Sequence, residues 1–415
     1  MYQTITLENG VRILTEKMPG VRSAALGIFV GTGSRDELPG ENGAAHFIEH
    51  LLFKGTEKRT AQQIAMETDA IGGQMNAYTT KETTCFYVRT LDTHLAQATD
   101  ILCDMLFCSK FDQGDVETER GVILEEIGMY EDNPEDLCSE RLATAIFKGT
   151  ALARPILGKK KTLAAMTGQS LKDYQKRHYR PDCTVVALAG SFTQGDVDEL
   201  AERFAAIAPQ PAEPQKGADY HPAVTVKKRT IEQNHLTIAF PGLPFGDPRR
   251  FTLQLLSFLL GGGMSSVLWQ EVREKLGLCY SIYSYGASHG DTGIFAIYTA
   301  LGKDQEEKAL HTILRVVADF TRDGVTEQAL SMAREQSKAN VLMGMESTQS
   351  RMSHLGRSAL MSGEVMTPEE IIAAYDSVTA EGVQTMAREL FQLENASISA
   401  VGRIKDEEYY RALLK

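Results

Sequence analysis

Apolar residues along this chain fall into two patterns. Short β-branched and aromatic runs at residues 24–30, 84–89, 184–188, 236–240 and 293–299 predict strands. Stretches with apolar positions at three- and four-residue spacing, at 44–53, 61–71, 91–107, 115–130, 171–178 and 308–322, predict helices. The chain opens on alternation, Tyr2-Gln3-Thr4-Ile5-Thr6-Leu7, closed by a turn at Glu8-Asn9-Gly10. Strands and helices do not alternate regularly. The pattern predicts an α+β fold, with a largely antiparallel sheet in each half and helices packed on one face.

The halves are set apart by residues 208–222, where four prolines preclude both a helix and a central strand. An extended linker is expected at 209–222, between a first half, 1–208, and a second, 223–415. The halves also read as copies. Residues 167–190 lie over 379–402 without a gap: Leu171 over Val383, Lys176 over Arg388, Tyr179 over Phe391, Asp182 over Glu394, Val186 over Ile398. Each copy reads as a helix, a turn and an apolar strand ending in glycine, which points to a duplication rather than a solenoid.

Composition narrows the function. The chain has 415 residues, 43% of them hydrophobic and 24% charged, with a net charge of −12. That is globular composition, long enough for two or more domains. No basic block exists to displace phosphate counterions, so no nucleic-acid partner is expected. The longest apolar runs, such as 255–260, are too short to span a bilayer, so no membrane partner is expected either. The N-terminus shows no secretory or transit pattern, and a cytoplasmic protein is the simplest reading. The six cysteines are scattered without a Cys-x-x-Cys pair and read as reduced structural thiols.

The sharpest chemical feature is His46-Phe47-Ile48-Glu49-His50, within good helix-forming sequence. On a helix the two imidazoles lie one turn apart on one face and reach a single metal ion. Glu49 lies on nearly the same side, placed to hydrogen-bond a metal-bound water. The order His-x-x-Glu-His reverses the His-Glu-x-x-His of other zinc-peptidase helices, and helical geometry permits both. Two histidines and a glutamate on a surface helix mean nothing alone, so a third ligand is required. Residues 117–126 offer one: Glu119 and Glu126 lie two turns apart on one face, and Glu125 is rotated off it. One carboxylate would complete a His-His-Glu site with an open fourth position, and the other would orient a ligand from behind. The remaining histidines, including His94, His178, His221, His235, His289, His311 and His354, lack ligand spacing. Gly261-Gly262-Gly263 lacks the Lys-Ser/Thr that a nucleotide loop needs and reads as a flexible, substrate-touching loop.

These residues resemble the pitrilysin/insulinase family of inverted-motif zinc peptidases. The likeness rests on His46–His50 followed by Glu126 after 75 intervening residues. It extends to Gly31-Thr32-Gly33-Ser34-Arg35-Asp36-Glu37, Leu51-Leu52-Phe53-Lys54-Gly55-Thr56 and Gly72-Gly73-Gln74-Met75-Asn76-Ala77-Tyr78-Thr79. In the second half it continues through Leu260-Gly261-Gly262-Gly263-Met264-Ser265-Ser266 and Arg273-Glu274-Lys275-Leu276-Gly277-Leu278-Cys279-Tyr280. The length is similar to that of the short-subunit branch, which includes mitochondrial processing peptidase and its bacterial relatives.

The resemblance implies a zinc endopeptidase with one zinc per chain on His46, His50 and Glu126. It implies Glu49 as general base and Glu119 as the acidic group behind a ligand. Asn76, Ala77, Tyr78 and Thr79 would form the edge strand on which a peptide substrate pairs. Arg273 would anchor substrate, and Tyr280 would face the tetrahedral intermediate. It also implies peptides or unfolded segments as substrates, held in a closed chamber completed by a partner subunit. That partner is a second copy in a homodimer, or a related chain in a heterodimer. The rival reading is a catalytically silent structural or peptide-presenting subunit of the same family, and the intact ligand set speaks against it.

Overall fold

The computed structural model describes residues 2–210 and 217–415. Residues 211–216 of the expected linker lie outside the described residues; the described parts of 209–222 form neither helix nor strand. The chain forms two compact units.

The first unit contains the described residues of 1–127, 154–216 and 342–367. Its sheet is built from β1 (Gln3–Thr6), β2 (Arg12–Lys17), β3 (Ser23–Val30), β4 (Gln74–Thr79), β5 (Thr84–Leu91) and β6 (Thr184–Gly190). The order is β1-β2-β6-β3-β5-β4, and only the β2–β6 pair is parallel. β3 is apolar and buried almost throughout, because both faces of the sheet are covered. Its residues divide by the two-residue period of a strand. Ala24, Leu26 and Ile28 join the core formed by Phe47, Ile48 and Leu51 of the Ala44–Leu51 helix and by Ile101 and Leu102 of the Leu95–Cys108 helix. Ala25 and Phe29 point the other way, onto Met352, Leu355 and Ala359 of the Thr348–Met361 helix. β6 divides likewise, with Val186 and Leu188 in the first cluster and Val185, Ala187 and Ala189 in the second.

The second unit contains the described residues of 128–153, 217–341 and 368–415. Its strands are β7 (Val224–Lys228), β8 (Gln233–Pro241), β9 (Ser281–Ser288), β10 (Gly293–Gly302) and β11 (Ser397–Gly402), in the order β7-β11-β8-β10-β9. Again one pair, β7–β11, is parallel, so the sheet repeats β2-β6-β3-β5-β4 of the first unit strand for strand. The aligned segments superpose in role. Thr167 and Thr379 cap the Gly168–His178 and Ala380–Leu390 helices through their hydroxyls. Gly190 and Gly402 end β6 and β11 at φ +121° and +140°. A Cβ there would lie 2.2 Å from the Ser23 carbonyl oxygen and 2.4 Å from Asn234 Oδ1 respectively, so only glycine fits.

The sequence halves and the compact units do not coincide. The Pro134–Ile146 helix precedes the linker yet packs in the second unit, where Leu142 and Ile146 meet Ala239 and Ala296. The Thr348–Met361 helix follows the linker yet covers the first sheet. Its approach is close: a Cβ on Gly27 would lie 2.2 Å from Met352 Sδ. Neither helix stood out in the sequence pattern. All six cysteines are free thiols, and among the described residues no helix is long and apolar enough to cross a membrane.

Candidate metal centre

The first unit holds the site, and the site begins with how one short helix is anchored. The Ala44–Leu51 helix starts at Gly43, at φ +102°, where a Cβ would lie 2.9 Å from Gly158 Cα. Its first N–H groups are satisfied by a buried side chain from an earlier loop. Glu37 Oε2 accepts from Gly43 N at 2.9 Å and from Asn42 Nδ2 at 2.8 Å, and Oε1 accepts from Ala45 N at 3.0 Å. A carboxyl group there satisfies orphan donors and suits the positive end of the helix dipole. Burial pushes the Glu37 carboxyl up to about 8, against the pull of those donors and of Arg154. Arg154 also holds the loop, donating to the Glu37 carbonyl. Phe47, Ile48 and Leu51 then pack one face of the helix on the core, and the buried His46 lies with Glu49 and His50 on the other.

The two imidazole centroids are 4.7 Å apart. Across from them, Glu126 on the Gln113–Asp132 helix brings Oε2 to 3.5 Å from His46 Nε2 and 3.6 Å from His50 Nε2. These separations are long for hydrogen bonds. They match the edge of a tetrahedron of N and O ligands around zinc, about 3.4 Å for bonds of about 2.1 Å. The three groups are the metal-capable cluster among the described residues, with their ligand atoms within 4.8 Å of one another.

Glu119, two turns before Glu126, plays the other part. Its Oε2 lies 3.0 Å from His50 Nδ1. A proton on Nδ1 donated to that carboxylate leaves the Nε2 lone pair facing Glu126, as metal ligation requires. Burial, helped by the neighbouring His50, lowers His46 to about 4, so its imidazole is neutral and has a lone pair to offer. At His50 burial acts downward, but the nearby carboxylates of Glu126 and Glu119 outweigh it and the net shift is upward. A divalent cation held by these groups would compete with the proton that this shift favours. The donor set thus fits zinc.

Glu49 is raised by burial, against a hydrogen bond from Thr79. Thr79 Oγ donates to Glu49 Oε2 at 2.5 Å. Thr79 ends β4, which pairs with β5 through Asn76↔Tyr87, Ala77↔Phe86, Tyr78↔Cys85 and Thr79↔Thr84. β4 is the last strand of its sheet, so its other edge is open to an added strand.

Arg273 and Tyr280 belong to the second unit. Arg273 sits in a π-helical turn, Trp269–Glu274, with its guanidinium carbon 3.8 Å from the Trp269 ring centroid and 5.8 Å from that of Tyr280. Tyr280 is 72% exposed. The structure therefore groups His46, Glu49, His50, Thr79, Glu119 and Glu126 in one unit, and Arg273 with Tyr280 in the other. Sequence reasoning assigned no role to Glu37, Lys54 or Trp269. Glu37 and Lys54 stood inside recognised motif strings, and Trp269 was signalled only as the single tryptophan of the chain, four residues before Arg273.

Residues 12–160 match the profile of the insulinase family (peptidase family M16), and residues 165–337 match that of the peptidase M16 inactive domain. The chain is 41% identical over 392 residues to an uncharacterized zinc protease of Bacillus subtilis, YmxG, covering 94% of this chain and 96% of that one. It is 41% identical over 420 residues to an uncharacterized zinc protease of Streptomyces coelicolor, covering 98% and 90%. Its fold is similar to the crystal structure of a peptidase M16 inactive domain from Pseudomonas fluorescens, with TM-score 0.91, 21% identity, and coverage of 98% of this chain and 99% of that one. A protease from Helicobacter pylori shares the fold at TM-score 0.90, 19% identity, and coverage of 97% and 99%.

Proposed function

The chain belongs to the insulinase family, peptidase family M16, and on that premise we propose that it is a zinc-dependent endopeptidase acting on peptides or unfolded segments. The observation that carries the reading is the triangle of His46, His50 and Glu126, with Glu49 beside it and Glu119 behind His50. One zinc per chain, when bound, would supply Lewis acidity toward the scissile carbonyl and lower the pKa of the attacking water.

The chain's own residues do the rest. Glu49, raised by burial, takes the proton of the attacking water and delivers it to the leaving amine nitrogen. Thr79 holds the Glu49 carboxylate in place. Asn76, Ala77, Tyr78 and Thr79 hold the substrate by main-chain hydrogen bonds as an added strand, so selectivity among side chains is loose. Tyr280 donates a hydrogen bond to the developing oxyanion, and Arg273 anchors the substrate. In this reading Arg273 and Tyr280 serve the zinc of an opposing unit, supplied by a second copy of the chain or a related subunit, and the two together close a chamber that excludes folded proteins. The free thiols suit a reducing, cytoplasmic setting.

A silent peptide-presenting subunit would not need Glu49, and its retention beside a complete ligand set favours the enzyme. The test is purified, zinc-loaded protein against a quenched-fluorescence peptide, beside Glu49→Gln. The variant is expected to keep its zinc and cut at least about 100-fold more slowly. A zinc-loaded wild-type chain that cuts no unfolded peptide would overturn the reading.

A further inference from the structure

We propose that Lys54 is a positioning residue of the metal centre, acting on zinc through Glu119 and His50. The inference rests on the metal assignment above. The Glu119 carboxylate is divided between two partners. One oxygen faces His50 Nδ1 at 3.0 Å, and the other takes the Lys54 ammonium at 2.6 Å. The Glu119 side chain is only 4% exposed. A buried carboxylate needs a counter-charge, and the neutral imidazole of a metal-ligating His50 would not supply one. Lys54 does, and by occupying Oε1 it turns Oε2 toward His50.

Lys54 is held there by its chain neighbours. Beyond the helix end, Phe53 N bonds His50 O at 3.2 Å and Lys54 N bonds Leu51 O at 3.0 Å. Phe53 packs on the core on one side of Lys54. On the other, the buried Thr56 donates to Asp104 Oδ2 at 2.6 Å. The Lys54 backbone is therefore fixed before its side chain reaches Glu119. This separates the pair from an ordinary surface salt bridge, whose long side chains must be ordered at their own entropic cost. His50, Glu119 and Lys54 form a line of charge-assisted contacts leading away from the metal, and each sets the orientation of the next.

Zinc affinity, measured by competition with a chromogenic chelator, reads this without reference to peptide cleavage. Lys54→Met is expected to weaken zinc binding roughly tenfold, the lower end of the range for groups that support a metal ligand from behind. Lys54→Gln is expected to do the same and serves if the Met variant does not fold. Lys54→Arg keeps the charge and is expected to restore most of the affinity. Because Lys54 acts through Glu119, adding Lys54→Met to Glu119→Gln is expected to cause no further loss. Wild-type affinity in both Lys54→Met and Lys54→Gln, or a full additional loss in the Glu119→Gln background, overturns the role of Lys54 alone. A wild-type chain that binds no zinc overturns the metal assignment, and this inference with it.

Discussion

The two units carry one sheet plan and opposite surfaces at the same place on it. Between β3 and the edge strand β4, the first unit inserts the Ala44–Leu51 helix, which packs near β4 and presents His46, Glu49 and His50. Between β8 and the edge strand β9, the second inserts the Arg250–Gly261 helix, which packs near β9. That helix buries Phe251, Leu253, Leu255, Leu256, Leu259 and Leu260. Its polar contacts are modest: Tyr375 donates to Gln254 at 2.6 Å, and Ser284 to the Ser257 carbonyl at 2.8 Å. The scaffold accepts either surface. The first surface needs support the second does without: a buried carboxyl cap from Glu37, a carboxylate behind His50, and a hydroxyl on Glu49. Half-buried charges are tolerated only when every one has a partner, so the His-His-Glu cluster comes with a set of dependent residues and the apolar helix does not.

The comparison breaks most sharply at the two helices themselves. His50→Ala is expected to lose stoichiometric zinc by elemental analysis, and peptide cleavage with it, while the fold persists. Leu255→Ala, fully buried in the second unit's helix, is expected to cost about 2–5 kcal/mol of stability with zinc content unchanged. Full zinc occupancy in His50→Ala would remove the metal from the first unit's helix altogether.

A mixing experiment asks whether the difference between units is a division of labour. Glu49→Gln and Tyr280→Phe chains, each expected to be poorly active, are combined under conditions where subunit exchange is demonstrated. Mixed dimers are expected to regain one intact site, built from Glu49 of one chain and Tyr280 of the other. Demonstrated exchange without recovery of activity would confine each site to one chain.

Where the units are alike, equal perturbations are expected to have like effects. Gly190→Ala and Gly402→Ala each force a left-handed backbone position and a clash. Each is expected to destabilise the chain by about 1–3 kcal/mol in denaturant unfolding. A cost at one position only would show that the duplicated strand ends are not mechanically equivalent.

The first unit also contributes a pH dependence. The Glu37 carboxyl, raised from 4.5 to about 8 in the fold, binds its proton more tightly in the folded than in the unfolded chain. Its contribution is full below about 4.5 and is lost as pH rises toward about 8. The melting temperature of the metal-free wild type relative to Glu37→Gln is therefore expected to fall across that window. A constant difference would mean the carboxyl is ionised throughout. The Arg250–Gly261 helix has no side-chain cap, and no such drift is expected from its N-terminus.

Much of this was present in one dimension. The spacing of His46, Glu49 and His50 is a local property of a helix, so the sequence alone determined that these three share a face. The alignment of 167–190 with 379–402 reflected real copies, because a capped helix followed by a glycine-terminated strand is also a local pattern. Glu119 and Glu126 were legible as two carboxylates on one helix face. Which of them meets both Nε2 atoms and which meets Nδ1 depends on how the Gln113–Asp132 helix is set along the Ala44–Leu51 helix, and the residues themselves left that open until family resemblance chose. Tertiary structure also decided that Lys54 and Glu119 meet, that Thr79 reaches Glu49, and that Pro134–Ile146 and Thr348–Met361 pack with the unit on the other side of the linker in sequence. β3 and β6 are apolar on both faces, which announces that a second cover is needed, but not which segment provides it. Periodicity records the face an element buries; the partner it buries against is chosen by shape and register between segments distant in sequence.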